Sequence, residues 1–175
     1  YPNLTAYENL KLKCICLGVK DLSCIQDNLE LVGLGSVGKK KVKNYSLGMK
    51  QRLGIAMSLI GNPDLLILDE PINGLDPEGI VQIRDTILRL NTERHMTIII
   101  SSHILEELSK IVTEYGFINK GNLIQELSKE ELMAKYKNGT NLNGLENVLY
   151  VCPHCKKEFT ISVKENSRLY CTECG

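Results

Sequence analysis

The chain has 175 residues, enough for one ordinary domain, or for one domain and a small module. Its 21 Lys and Arg balance its 21 Asp and Glu, so no net charge draws it to nucleic acid or to an anionic membrane. A hydrophobic fraction of 43% is that of a globular protein, and 5% aromatic residues with no Trp argue against a base-stacking surface.

Thr5 and Glu8 stand at capping-box spacing, so a helix is expected from Ala6 to about Leu17. Cys14 and Cys16 are too close in sequence to share a helix face and, with Cys24, read as small packing residues rather than ligands. A second helix is expected from Asp21 to Val32, with Ile25, Leu29 and Val32 on one face. GLGSVGKKK, from Gly33 to Lys41, follows it and fits the spacing G-x-x-x-x-G-K of a phosphate-binding loop. Such a loop needs a strand before it and a Ser or Thr after its lysine to hold Mg²⁺. Here a helix precedes it and Lys40 follows Lys39. A glycine C-cap running into a solvated basic loop explains the stretch better.

In YSLGMKQRLGIAMSLIGNP, Leu53, Ala56, Met57 and Ile60 recur at helical spacing, and Gly61 and Pro63 stop the helix. LLILD, ending at Asp69, reads as a buried parallel strand. Asp76-Pro77 should cap a helix to about Leu90. MTIIIS, residues 96–101, reads as a second buried strand, and HILEELSKIVTEY as a further helix. GFINK and NLIQE suggest a hairpin around Lys120-Gly121, and Ser128 with Glu131 forms a second capping box. No apolar run approaches the ~20 residues of a membrane-spanning helix. Strand and helix alternate from Leu65 to Tyr115, which points to a parallel α/β sheet.

Asp69 and Glu70 place two carboxylates at the carboxyl edge of such a sheet, where α/β proteins bind ligands. One acid can hold a metal's water shell while the other takes a proton from an attacking water. Alone, the pair reads equally as two solvated acids at a strand end. It does not stand alone. YSLGMKQR precedes it, NGLDP follows it, and SSH comes after the next strand. In this order the residues resemble the ATPase subunit of an ATP-binding-cassette (ABC) transporter, over roughly Tyr1 to Tyr136. YPNLTAYENL and YSLGMKQRLGIAMSLIGNPDLLILDEPINGLDP look most like the bacitracin and lantibiotic export subfamily.

The resemblance implies roles for particular residues. Ser46 and Gly48 would belong to the signature motif, which caps the γ-phosphate of ATP held by a partner subunit. The family form Leu-Ser-Gly-Gly-Gln is here Tyr45-Ser46-Leu47-Gly48-Met49, so a Gly and the Gln are replaced. Asp69 would be the Walker B acid, holding Mg²⁺ through water. Glu70 would be the general base. Asp76 would sit in the D-loop, and His103 would be the switch histidine. The family's phosphate loop, the Walker A motif, lies far upstream of the signature, so GLGSVGKKK is in the wrong place for it. The chain starts at Tyr1, not Met, and is expected to be a fragment or a processed piece. Without a Walker A loop in these residues, the isolated chain is expected to bind ATP weakly or not at all and not to turn it over. One side of its sheet is expected to be bare.

Cys152-Pro-His-Cys155 and Cys171-Thr-Glu-Cys174 match the spacing of a four-cysteine zinc site. EFTISV between them alternates like a strand, and KENS reads as a turn. Disulfides are the alternative, and a reducing cytosol disfavours them. The segment resembles a zinc ribbon.

The fold class expected is therefore α/β: a partial P-loop NTPase (ABC ATPase) core with a helical subdomain, plus a small zinc-ribbon-like module. Residues 1–136 would be the ATPase portion, 137–147 a linker and 148–175 the ribbon. The resemblance implies ATP, Mg²⁺ and Zn²⁺ as cofactors. It implies a second ATPase subunit and a transmembrane permease as partners, with no nucleic acid. The location it implies is cytoplasmic, peripheral on the inner face of the cell membrane. The function expected is ATP-driven export of a peptide antibiotic or drug. A zinc-ribbon binding module on a degenerate ATPase scaffold is the alternative, and a non-functional fragment is a third reading.

Overall fold

The computed structural model describes residues 1–137, 161–164 and 168–171. The chain divides into two compact units, Tyr1–Ser102 and His103–Gly175.

The first unit is a layer of helices against a small parallel sheet. Helix α1 spans Ala6–Leu17 and opens on the expected capping box: the Glu8 N–H donates to Thr5 Oγ1 at 3.2 Å, and the Thr5 N–H donates back to Glu8 Oε2 at 2.7 Å. It closes at Gly18 (φ 70°), with the Val19 N–H returning to Cys14 O at 2.9 Å. Helix α2 is Ser23–Leu31 and α3 is Leu47–Ser58. A single 3₁₀ turn, Val42–Asn44, leads into α3. Strand β1 (Leu65–Asp69), helix α4 (Pro77–Arg94) and strand β2 (Thr97–Ser101) form a βαβ unit, its strands parallel and in register from Leu65↔Thr97 to Asp69↔Ser101. The core gathers Leu10, Ile25, Leu29, Leu53, Ile83 and Leu90, all buried at the facing stripes of the four helices.

Two arginines close α2 from neighbouring helices. Arg89 of α4 donates to Leu31 O at 3.0 Å, and Arg52 of α3 donates to Val32 O and Gly33 O, each at 3.1 Å. The last carbonyls of α2 have no helical donors of their own, and these cations also suit the negative end of its dipole.

The strands differ from the sequence reading. LLILD and TIIIS are parallel as expected, but neither is buried on both faces. Leu66 is buried, whereas Leu65, Ile67 and Ile99 are 47%, 68% and 54% exposed. Within the described residues β1 and β2 pair only with each other, and helices cover one side. A short apolar run does not tell one-sided from two-sided burial.

In the second unit, the long helix expected over HILEELSKIVTEY shortens to α5, Leu105–Leu108. Residues from Glu114 join strand β3 (Glu114–Asn119), paired antiparallel with β4 (Asn122–Ser128) about the expected Lys120-Gly121 turn. Glu114 and Tyr115 pair with Ser128 and Leu127, so strand pairing overrides the helical period at the end of this segment. Helix α6, Lys129–Lys137, starts on the second capping box, with the Glu131 N–H on Ser128 Oγ at 3.2 Å. Tyr115, Leu127 and Leu132 are buried in this unit. Strands β5 (Ile161–Lys164) and β6 (Arg168–Cys171) pair antiparallel; of the strand read in EFTISV, residues 161–163 lie in β5, and 158–160 and most of the KENS turn lie outside the described residues.

Candidate functional site

The carboxyl end of β1 carries the paired acids. Asp69 is the last residue of the strand and lies opposite Ser101, the last of β2. The Ser101 hydroxyl donates to Asp69 Oδ1. It also accepts the Glu70 N–H at 3.0 Å, while the same N–H reaches Ser101 O at 3.2 Å. Glu70 therefore leaves the sheet still tied to β2, in a left-handed conformation of φ 46°. That region disfavours residues with a Cβ, and such residues cluster at functional sites. The turn closes through Asn73 N–H to Glu70 O at 3.1 Å, with Gly74 at φ 72°. Asp69 is exposed and Glu70 half-buried, so both carboxylates can be reached from solvent.

Ser46 sits at the N-cap of α3, its Oγ accepting the Met49 N–H at 3.2 Å. Asp76 is the N-cap of α4, its Oδ1 accepting the Gly79 N–H at 3.1 Å, with Pro77 at the first helical position. The two helix starts adjoin. A Cβ at Gly48 would lie 3.8 Å from Gly79 Cα and 3.8 Å from Leu75 Cδ2. A Cβ at Gly74 would lie 3.4 Å from Leu47 Cδ2. Thus Ser46, Gly48 and Asp76 are drawn together by the packing of α3 on the turn that enters α4. The first turn of α3 presents backbone N–H groups and the positive end of a dipole, which suits an anion.

The remaining candidates are placed differently. His103 is exposed and is the first residue of the second unit. Cys152, Cys155 and Cys174 lie outside the described residues, and Cys171 is the final residue of β6. Among the described residues no group of three or more His, Cys, Asp or Glu is placed to hold a metal ion, and no helix is long and apolar enough to cross a membrane. GLGSVGKKK is a helix exit, as its flanks suggest. Gly33 has φ 68°, the Leu34 N–H returns to Leu29 O at 2.7 Å, and the Gly33 carbonyl faces Arg52.

Sequence reasoning missed Ser101. SSH drew attention only for its histidine. The available signal was the equal length of LLILD and TIIIS, which sets their final residues side by side in a parallel pair.

Residues 1–73 match the family model described as ABC transporter. The chain is 50% identical over 135 residues to the bacitracin transport ATP-binding protein BcrA of Bacillus licheniformis, covering 77% of this chain and 44% of that protein. It is 51% identical over 147 residues to the lantibiotic transport ATP-binding protein SrtF of Streptococcus pyogenes, covering 84% of this chain and 60% of that protein. The chain thus spans about half the length of the curated relatives it matches, 44% and 60% in these two. Among solved structures it matches cbiO1 from Clostridium perfringens, part of the ABC transporter complex cbiONQ, with a TM-score of 0.69 and 25% identity, over 78% of this chain and 56% of that one.

Proposed function

We propose that this chain, an ABC transporter ATP-binding domain by its family match and its mixed α/β fold, serves an exporter of the bacitracin or lantibiotic type. It would work with a second ATP-binding subunit and a transmembrane permease, on the inner face of a membrane. Residues 1–136 are the ATPase portion in this reading, followed by a linker at 137–147. One observation carries it: the turn entering α4 joins both chemical ends of the first unit. It begins at Asp69-Glu70, tied to Ser101, and ends at Asp76, beside the N-cap of α3.

The residues then divide the work. Ser46 and the N–H groups of α3 hold the γ-phosphate of an ATP seated on the partner. Asp69, kept in place by Ser101, offers carboxylate oxygen to the water shell of Mg²⁺, a hard cation that prefers such donors. Mg²⁺, when bound, supplies charge neutralisation to the phosphates. Glu70 takes the proton of the attacking water, and His103 orients the γ-phosphate. Asp76 carries the state of one site to the other.

These 175 residues contain no G-x-x-x-x-G-K-[ST] sequence, so by themselves they should not hydrolyse ATP. The test mixes the chain with a separate ATP-binding subunit that has such a loop, and follows phosphate release. The chain alone should be silent and should stimulate the partner. Ser46→Ala should abolish the stimulation, whereas Glu70→Gln should leave it, because the Glu70 site lacks its own phosphate loop. Micromolar ATP affinity in the chain alone, or stimulation indifferent to Ser46, would overturn the reading.

The four C-terminal cysteines support a second, separate element: a zinc ribbon at residues 148–175, held by Cys152, Cys155, Cys171 and Cys174. Metal analysis of the full chain should give one equivalent of zinc, lost in Cys171→Ser. A metal-free chain with these thiols in disulfides would refute it.

A further inference from the structure

The basic loop at residues 39–43 leads into α3 and is pinned on the way. The Val42 N–H donates to Leu4 O at 2.9 Å and the Lys43 N–H to Pro2 O at 2.8 Å, while Thr5 and Lys41 form an antiparallel bridge. Tyr45 is buried and fixes the entry to Ser46. One lysine is aimed at this fixed stretch. The Lys40 ammonium lies 3.9 Å from Met49 Sδ and 5.9 Å from the centroid of the Tyr45 ring, within reach of a cation–π attraction. Tyr45 precedes the N-cap Ser46, and Met49 is the residue whose N–H donates to the Ser46 hydroxyl. Lys40 therefore stands at the first turn of α3, among its free N–H groups and the positive end of its dipole.

For the chain alone that placement is electrostatically wrong. Cations are favoured at helix C-termini and acids at N-termini. The first turn of α3 has no acid, and among the described residues no ion pair joins Lys40 to a carboxylate. Lys39, Lys41 and Lys43 add only like charge. A local rule broken without compensation is expected at functional sites. Met49 also stands where the form Leu-Ser-Gly-Gly-Gln has its Gln, so Lys40 returns a polar donor to that corner.

We infer that Lys40 is a specificity-determining residue: its ammonium contacts the terminal phosphate of the nucleoside triphosphate that Ser46 caps, and lets the chain tell triphosphate from diphosphate on its partner. The inference rests on the assignment of Ser46 to a partner-bound ATP. An ammonium on a long stem suits the task, as a point charge for a phosphate. Removing the terminal phosphate removes the group it meets, so Lys40 favours the complex only while the triphosphate is intact.

The test titrates the full chain against a separate ATP-binding subunit that has a phosphate loop, with Mg²⁺ and either AMP-PNP or ADP. Complex formation is read by analytical ultracentrifugation. Wild type should bind more tightly with AMP-PNP. Lys40→Gln should shrink that preference about fivefold, the upper range for one solvent-reached ion pair, and leave the ADP affinity unchanged. Lys40→Arg should keep the preference. Lys39→Gln removes the same charge from the same loop without a contact to Tyr45 or Met49, and should keep it too. Equal weakening of both complexes by Lys40→Gln would make the residue structural, and an equal effect of Lys39→Gln would make it general loop charge; either overturns the inference. A preference lost in Ser46→Ala but intact in Lys40→Gln overturns it as well and leaves the assignment of Ser46 standing. No preference in the wild type, or one that Ser46→Ala leaves intact, overturns both.

Discussion

The Ser101 hydroxyl bridges Asp69 and Glu70 across the parallel pair. It donates to the Asp69 carboxylate and accepts from the Glu70 N–H at 3.0 Å. One side chain on β2 thus fixes both the direction of the acid that ends β1 and the backbone that leaves it. A hydroxyl can do this because it is donor and acceptor at once. An alanine could do neither, and an acid would repel Asp69.

Ser101→Ala should therefore destabilise the first unit. Water reaches this strand end, so the loss should be near that of an ordinary hydrogen bond, about 1 kcal/mol. Urea unfolding should show a lower midpoint at unchanged slope. Ser101→Thr keeps the hydroxyl in a strand that favours β-branching, and should stay within about 0.5 kcal/mol of wild type. Equal losses in both variants would place the effect outside the hydrogen bond.

Asp76 has a structural duty besides its proposed one. Its Oδ1 accepts from Gly79 N–H at 3.1 Å and caps α4. Asp76→Ala should cost about 1 kcal/mol, whereas Asp76→Asn retains the cap and should be nearly neutral. Asp76→Asn is then the variant of choice for partner stimulation, since it removes charge without unseating the helix. If Asn proves as costly as Ala in calorimetry, the cap is not what Asp76 contributes.

The helices were legible because their signals are local. The capping boxes at Thr5–Glu8 and Ser128–Glu131 form as read, and Ile25, Leu29 and Val32 are buried together. Asp69 and Glu70 were legible as a strand ending in acid. What escaped depends on pairing between distant segments. Ser101 matters only through its register with Asp69. The β3 pairing claims residues whose helical period looked sound in isolation.

Arg52 ties α3 to the end of α2 through two carbonyls, each at 3.1 Å. Arg52→Met keeps much of the packing volume and removes both bonds. The bond to Val32 O is part-buried and that to Gly33 O is exposed, so the loss should be about 1–2 kcal/mol. Both carbonyls accept from the single Nη1, so Arg52→Lys restores the bonds only if its shorter stem brings the ammonium to that same point. Hydrogen exchange should show earlier opening at the end of α2 in Arg52→Met. Unchanged protection there would remove Arg52 from this role.

The α1 cap gives a pH dependence of known sign. The Thr5 backbone N–H first, and its hydroxyl second, hold the Glu8 pKa below its ordinary value of 4.5. A depressed folded pKa contributes stability that is fully present above 4.5 and is lost as pH falls through the lowered value. In Glu8→Gln this acid-side slope should disappear. Thermal unfolding followed from about pH 6 to about pH 3 should give curves that converge at the acid end. Curves that stay parallel throughout would show that Glu8 titrates alike in folded and unfolded chains.

Glu70 makes the sharpest contrast between stability and work. It holds φ 46° beyond the strand, a region that costs a residue with a Cβ of order 1 kcal/mol. Glycine relieves that strain but adds unfolded-state entropy of similar size. Asparagine tolerates the conformation without that penalty. Glu70→Asn should thus keep the backbone conformation, so that any loss of stability reports the bonds of the carboxylate, while removing the proton acceptor from the proposed site. Chemical unfolding gives the first quantity. The second is read as phosphate release by an ATP-binding subunit that has a phosphate loop and carries the matching substitution. A variant destabilised by more than about 1 kcal/mol would mean that the Glu70 carboxylate is held by bonds worth more than the backbone strain, making it a structural acid first.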